Sequence, residues 1–364
     1  MSVTQFKTEV MQANSLGIQT AATILANGGV VAIPTETVYG LAANAFDSGA
    51  IAKIFTAKER PLFDPLIVHV APEFASIAAL AAAEIIDSKP LSQNASILCE
   101  KLMAEFWPGP LTILLPKGKK IPDLVTAGLP MVGIRAPAHR AAKRLLIDLK
   151  LPLAAPSANR FGRISPTSAE HVLAELSGRI PLILDGGISA VGVESTVILI
   201  EPDRIAILRP GGVSMDELRR IAGNGPIIEN TSGVDGTGSA MIAPGNTASH
   251  YAPSVPVIVW SGFLTKIQNE LQAAFESSKK IALLFSNGDP IERLRELPGP
   301  LLQKSLSASL SRDGNPEEAA RNLFSMLRKF DDSDVQVIFA ELPAQEFGLW
   351  PAIKDRLVRA AGKK

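Results

Sequence analysis

Residues 30–46 read VVAIPTETVYGLAANAF. The opening VVAIP is strand-like: short, apolar and β-branched. Polar groups then arrive together, with Thr35, Glu36 and Thr37 followed by Tyr39, one of only 2 tyrosines in 364 residues. A strand end or turn that displays two hydroxyls and a carboxylate lies where α/β sheets commonly meet ligands. The same residues also make a capped turn, because threonine and glutamate satisfy backbone donors cheaply. This segment alone does not choose between the two readings.

Outward from it, helical and strand-like patterns alternate. Before it, SLGIQTAATILA has helical spacing and stops at Gly28 and Gly29, as helix C-termini often do. After it come LIVHV, LTILLP, MVGIRAP, LPLAAP, PLILDGG, STVILIE and IAILRPG, all of strand length. Ser214 with Glu217 fits a helix-starting capping box, and Thr167 with Glu170 fits another. Several strands follow one another without a helix, so residues 1–221 read as a mixed α/β domain rather than a strict βαβ repeat. Residues 222–254 turn rich in glycine, serine, asparagine and proline and read as a linker. Residues 255–364 then alternate three strands with helices, one of them started by Asn315 as N-cap and Pro316 at the first helical position. That pattern is a small parallel-sheet, Rossmann-like domain without a glycine-rich phosphate fingerprint.

Composition removes several functions. Lysine plus arginine balances aspartate plus glutamate at 36 each, so no bulk charge argues for a general nucleic-acid binder and any anion site must be local. No apolar run approaches the ~20 residues that cross a bilayer. A single cysteine, Cys99, excludes an internal disulfide and a cysteine-cluster zinc site. The amino terminus lacks a basic-then-apolar secretion segment, which makes a cytoplasmic location the expectation.

The informative residues are the polar ones that interrupt apolar runs. AKERPLFDPLIVHV carries Lys58 and Arg60, then His69 among valines. Lysine and arginine are natural partners of phosphate oxygens, the first as a point charge and the second as a fork. A solvated helix end explains such a pair equally well when it stands alone. VGIRAP buries Arg135 in an apolar strand, where a charge demands a carboxylate or phosphate partner. AAPSANRFGRISPT supplies Ser157 and Asn159 in a turn of small residues, a cradle for an anion or for a nucleoside. GVESTVILI and AILRPGG add Ser195, Thr196 and Arg209 at strand margins.

In order, PTETVYGL, KER, PLIVH, WPGPLT, GIRAP, APSAN, GVEST and ILRPG resemble the motifs of the YrdC-like threonylcarbamoyl-AMP synthases, and APGNTASHYAP resembles the linker motif of their longer, two-domain members. The resemblance spans roughly residues 15–253. It implies a YrdC-like, mixed twisted-sheet α/β domain, a linker and a smaller Rossmann-like domain. It also implies a reaction in which L-threonine, bicarbonate or carbon dioxide, and ATP give L-threonylcarbamoyl-adenylate and pyrophosphate, for the N6-threonylcarbamoyl modification of tRNA.

By that resemblance Thr37, His69, Arg135, Ser195 and the backbone near Ala155 belong to an L-threonine pocket, with Arg135 on the carboxylate. Lys58, Arg60, Asp64, Ser157, Asn159, Ser165 and Arg209 are expected at the nucleotide. No dedicated metal cage is visible, so magnesium is expected to arrive with ATP. His250 and Tyr251 are expected in a lid formed by the linker. Ala248 departs from relatives that carry an aromatic there, which removes one nucleotide contact. The transferase machinery that uses the adenylate, and tRNA itself, are the further partners implied.

Two rivals are weaker. An RNA-binding surface around Lys58, Arg60 and Arg135 conflicts with the zero net charge and the burial expected of Arg135. A carbamoyl-adenylate-forming enzyme of hydrogenase maturation would carry zinc-finger cysteines, and this chain has only Cys99.

Overall fold

The structure, a computed structural model, describes residues 6–201, 204–223, 227–229, 251–277, 279–295 and 305–362. The chain divides into two units. The first takes in Met1–Phe161, Ser165–Ala190 and Glu194–Asn246, and the second Gly162–Ile164, Val191–Val193 and Thr247–Lys364.

The first unit is built on one mixed sheet. Its described strands are β1 (Glu9–Gln12), β2 (Val31–Ile33), β3 (Gly40–Asn44), β4 (Ile67–His69), β5 (Leu111–Pro116), β6 (Met131–Arg135), β7 (Leu153–Ala154), β8 (Leu182–Asp185), β9 (Thr196–Ile200), β10 (Ile205–Arg209) and β11 (Ile227–Glu229). Their order across the sheet is β1-β8-β2-β3-β7-β4-β6-β5-β9-β10-β11. The PTETVY segment is the turn between the antiparallel strands β2 and β3, whose register pairs Ile33 with Gly40. In the middle of the sheet β4 runs parallel to β6, which sets His69 beside Arg135. β5 runs parallel to β9, which sets Leu111 beside Thr196. β9 and β10 are antiparallel, with Arg209 opposite Val197.

Apolar residues cover both faces of this sheet. The helices Ser15–Ala26 and Arg140–Leu149 bury Ile18, Leu25, Leu145 and Leu146 against Ile33, Leu182 and Leu184. A second cluster joins Ile51, Ile54, Leu102 and Met103 to Tyr39, Leu41, Val68 and Ile134. Each fully buried aliphatic side chain contributes about 1.5–3 kcal/mol by transfer from water. That burial holds the polar turns in place.

The capping box at Ser214 and Glu217 is present, with both reciprocal hydrogen bonds made. The second box is not. The helix Ala169–Leu176 is capped by Ser168, whose hydroxyl accepts the amide of His171, while the amide of Thr167 turns to His171 Nδ1. Two adjacent hydroxyl residues compete for the same orphan donors, and the one a residue later wins. Residues 227–229, inside the stretch read as a linker, add β11 parallel to β10.

Among the described residues the second unit has a four-stranded, all-parallel sheet of β12 (Val257–Trp260), β13 (Ile281–Asn287), β14 (Ser305–Ser311) and β15 (Val337–Glu341), in the order β12-β15-β13-β14. The helix Pro316–Asp331 starts at Asn315, whose side chain accepts the amide of Glu318, as the Asn-Pro pair predicts. β14 corrects the three-strand reading. SLSASLS alternates serine with leucine and alanine at the sheet edge, so it lacks the apolar density of a central strand.

Candidate functional site

Arg135 ends β6, and its guanidinium is buried with its hydrogen bonds divided among three partners. Nη2 donates to Glu36 Oε1 at 2.5 Å, Nη1 to Thr37 Oγ1 at 2.9 Å, and Nε to Gly109 O at 3.1 Å. The carboxylate demanded by an arginine in an apolar strand is thus Glu36 of the same chain. Glu36 is doubly used, because its Oε2 accepts the amide of Ala138 at 3.0 Å. One carboxylate therefore ties the PTETVY turn to Arg135 and to the chain just beyond it.

The hydroxyls of the turn form a directed chain. Thr35 donates to Val38 O at 2.6 Å, which commits its one proton. The 2.8 Å contact between Thr35 and Thr37 must then run from Thr37 to Thr35. Arg135 donates to Thr37, Thr37 to Thr35 and Thr35 to a carbonyl, and such aligned bonds reinforce one another. Thr37 keeps one lone pair, so toward a ligand it acts as an acceptor. Tyr39 fixes the other end of the turn: its hydroxyl donates to Gly187 O at 2.7 Å and accepts the amide of Gly186 at 3.1 Å. Burial, then the nearby Asp185, pushes its phenol up, so it remains neutral.

His69 lies beside Arg135 and is 4% exposed. Burial first, and Arg135 second, lower its pKa to about 3, which leaves a neutral imidazole near pH 7. Its Nδ1 has no hydrogen-bond partner among the described residues. The backbone of Ile67 and of Leu153 also reaches the ring and opposes part of the lowering. Ser195 is also buried; its Oγ lies 2.8 Å from Thr112 Oγ1 and accepts Arg209 Nη2 at 3.1 Å. Arg209 clamps the same residue's carbonyl through Nε and Nη2, at 3.2 and 3.0 Å. Gly211 is obligatory here. A Cβ at that position would sit 2.3 Å from Glu194 O and 2.4 Å from Ser195 C, so only glycine lets RPGG pack on VEST.

A second group gathers around the end of the helix Ser48–Lys58. Lys58 Nζ donates to the carbonyls of Ser157 and Asn159, each at 2.5 Å. Burial first, and repulsion from Arg60 second, hold its pKa well below the ordinary lysine value. Arg60 pairs with Asp64 at 2.9 Å and donates to the carbonyls of Asp64 and Pro65 at 3.2 and 2.9 Å, with its guanidinium 6.0 Å from the ring of Phe161. Asn159 is 1% exposed, and its amide donates to Arg160 O at 2.7 Å. Ser165 donates to Glu194 Oε1 at 2.6 Å, one residue before Ser195.

The expected residues therefore come together as two clusters. Thr37 and Arg135 are bonded, His69 stands in register with Arg135, and Ala155 lies where Gly40 approaches it and donates its amide to Ile67 O. Lys58 is bonded to Ser157 and Asn159, and Arg60 to Asp64. Arg209 and Ser195, assigned to different substrates, are directly bonded. Tyr251 is 1% exposed, stacked on Phe324 at 5.5 Å, with the guanidinium of Arg356 5.1 Å from its ring, all within the second unit. His250 and Ala248 lie outside the described residues.

Sequence reading missed the structural roles of Glu36, Thr35, Thr112 and Glu194. Only Glu36 left a signal, as the single carboxylate in the turn. Among the described residues no group of three or more histidine, cysteine, aspartate or glutamate side chains is placed to hold a metal, and no helix is long and apolar enough to cross a membrane.

Known proteins share both parts of the chain. Residues 23–211 match the family model Sua5_yciO_yrdC, described as "Telomere recombination", and residues 213–362 match the model for a threonylcarbamoyl-AMP synthase C-terminal domain. A threonylcarbamoyl-AMP synthase of Pyrococcus abyssi is 40% identical over 352 residues, covering 95% of this chain and 94% of its own. One from Bacillus subtilis is 38% identical over 357 residues, covering 98% and 96%. The crystal structure of the P. abyssi Sua5 protein complexed with L-threonine superposes with a TM-score of 0.81 at 37% identity, covering 98% of this chain and 97% of that one.

Proposed function

The chain belongs to the Sua5–YciO–YrdC family and is an enzyme that forms threonylcarbamoyl-AMP, and from that premise we propose how its residues divide the work. L-threonine, bicarbonate or carbon dioxide, and ATP are the substrates; L-threonylcarbamoyl-adenylate and pyrophosphate are the products. The adenylate serves the N6-threonylcarbamoyl modification of tRNA.

Arg135 takes the threonine carboxylate with the N–H groups left over from Glu36, Thr37 and Gly109. Thr37 offers its free lone pair to a substrate N–H or O–H. Neutral His69 and Ser195 line the same pocket, and fixed polar partners of this kind reject an analogue that lacks the matching group. The observation that carries this reading is the buried guanidinium of Arg135, which has N–H groups beyond those given to Glu36, Thr37 and Gly109 and stands in register with His69.

Lys58, Arg60 and Arg209 face the nucleotide, with Asp64, Ser157, Asn159 and Ser165 around them. The threonine amine combines with the one-carbon unit to give an N-carboxylate, releasing a proton when the unit is carbon dioxide and water when it is bicarbonate. A carboxylate oxygen then attacks the α-phosphorus and pyrophosphate leaves. Nothing here asks for a covalent enzyme intermediate; positioning and charge neutralisation suffice. Magnesium bound to ATP would neutralise phosphate charge. Asp64 is paired with Arg60 and Glu194 accepts Ser165, so these carboxylates do not form an open cage, and the ion would come with ATP as a source of charge neutralisation.

The test is pyrophosphate release from ATP, with L-threonine compared against L-serine, L-valine and no amino acid, with and without bicarbonate. Release should require both L-threonine and bicarbonate. Release indifferent to the amino acid would assign the site to another nucleotidyl transfer.

A further inference from the structure

Glu36 has a place in the site but no assigned part in the reaction. Its side chain is 10% exposed, against 4% for Arg135, and the two are joined by a bond of 2.5 Å. A bare Arg135 would be a buried monocation suited to any small carboxylate. With Glu36 attached, the pair is neutral, and burial weakens the screening that would otherwise hide its charges from a ligand. His69 adds no charge near pH 7, since burial keeps it unprotonated. Thr37 contributes a lone pair and no proton.

A neutral site with a cationic and an anionic pole fits a ligand that is itself neutral with two poles. Free α-amino acids are such zwitterions near pH 7. We propose that Glu36 is the residue that makes the pocket select a zwitterionic amino acid over a simple hydroxy acid, by balancing Arg135 and presenting a negative pole to the substrate ammonium. The inference rests on the assignment of Arg135 to the threonine carboxylate and deepens it.

The arrangement explains why Glu36 is bound on both oxygens. Oε1 is fixed by Arg135 and Oε2 by the amide of Ala138, so the carboxylate cannot swing away when a substrate carboxylate approaches. Each oxygen still has lone-pair capacity for a further donor. The carboxylate's part is recognition. The ammonium proton must leave before the amine reacts with carbon dioxide, and bulk base takes it.

The probes are L-threonine and 3-hydroxybutyrate, which keeps the carboxylate and the hydroxyl but lacks the amine. Affinities are measured by calorimetry for the full chain, for Glu36→Gln, for Glu36→Asp and for Arg135→Ala. The unmodified protein should favour L-threonine strongly. In Glu36→Gln that preference should shrink by about tenfold or more, with 3-hydroxybutyrate gaining affinity, because an uncompensated guanidinium attracts any carboxylate. Glu36→Asp keeps the charge and should keep most of the preference, a split that loss of packing alone would not give.

An unchanged preference in Glu36→Gln, with both probes abolished by Arg135→Ala, would overturn the role of Glu36 and leave the site assignment standing. L-threonine affinity untouched by Arg135→Ala would overturn the site assignment itself. Should Glu36→Gln fail to fold, the Asp variant decides: its shortened carboxylate must keep discriminating between the probes, and equal losses for both would contradict the proposal.

Discussion

The two basic side chains at the ends of the proposed site are held by different materials. Arg135 is held by side chains, with Glu36 supplying a full opposite charge and Thr37 a hydroxyl. Lys58 is held by the main-chain carbonyls of Ser157 and Asn159, and no carboxylate stands within ion-pair distance of it among the described residues. A carbonyl orients an ammonium without cancelling its charge. The Arg135 end joins its guanidinium to a carboxylate, whereas at the Lys58 end burial first and Arg60 second oppose protonation, with Asp64 and Glu175 acting the other way. On the proposed division of the site, an ion pair suits a zwitterion, and an arriving polyphosphate would favour the protonated form of Lys58.

The largest effect expected from breaking this contrast is at Arg135. Arg135→Ala leaves Glu36 buried without its partner, which costs about 3–5 kcal/mol of stability. Threonine-dependent pyrophosphate release should fall by roughly 100-fold or more, as when a transition-state hydrogen-bond donor is lost. Chemical unfolding and turnover measured on the same preparation check both, and a stable variant with normal threonine KM would contradict the account.

Gly211→Ala should come next. The added methyl meets backbone atoms of Glu194 and Ser195 at 2.3 and 2.4 Å, so the backbone must move. The expected loss is about 1–3 kcal/mol, the range for overpacking a filled site. Because Ser195 contacts Arg209 and Thr112, KM for L-threonine and for ATP should rise together. A rise in only one of them would show that Ser195 and Arg209 are not coupled.

The smallest effect lies in the acid limb. His69 titrates near 6.5 when unfolded and at about 3 when folded, so between those values the unfolded chain binds the extra proton. The stability this gives is fully present above pH 6.5 and drains away as pH falls toward 3. In His69→Gln that part of the slope, at most about 1.4 kcal/mol per pH unit, should be missing. Urea unfolding at pH 7 and pH 5 measures it, and equal slopes in the two proteins would mean that His69 is protonated in the fold.

Much of this was legible in the residues. Apolar runs marked β4, β5, β6, β9 and β10, since their interiors are buried on both faces and need no alternation. Arg135 announced itself as a buried charge that needed a carboxylate. Which carboxylate was not legible, because Glu36 lies 99 residues away and the pairing depends on the sheet order β3-β7-β4-β6. The direction of the hydroxyl chain from Thr37 to Thr35 was equally hidden, for it follows from atom positions in the turn. β14 escaped for a different reason: an edge strand of alternating serines resembles a loop in composition.

The central claim, that the proposed threonine end at Arg135 and the proposed nucleotide end at Lys58 are separate, is tested most directly by a crossed pair of titrations. L-threonine and a non-hydrolysable ATP analogue are each titrated by calorimetry into Arg135→Ala and Lys58→Ala. The account predicts that Arg135→Ala loses threonine while keeping the nucleotide within a few-fold, and that Lys58→Ala does the reverse. Parallel losses of both ligands in both variants would contradict it and make the two clusters one undivided site.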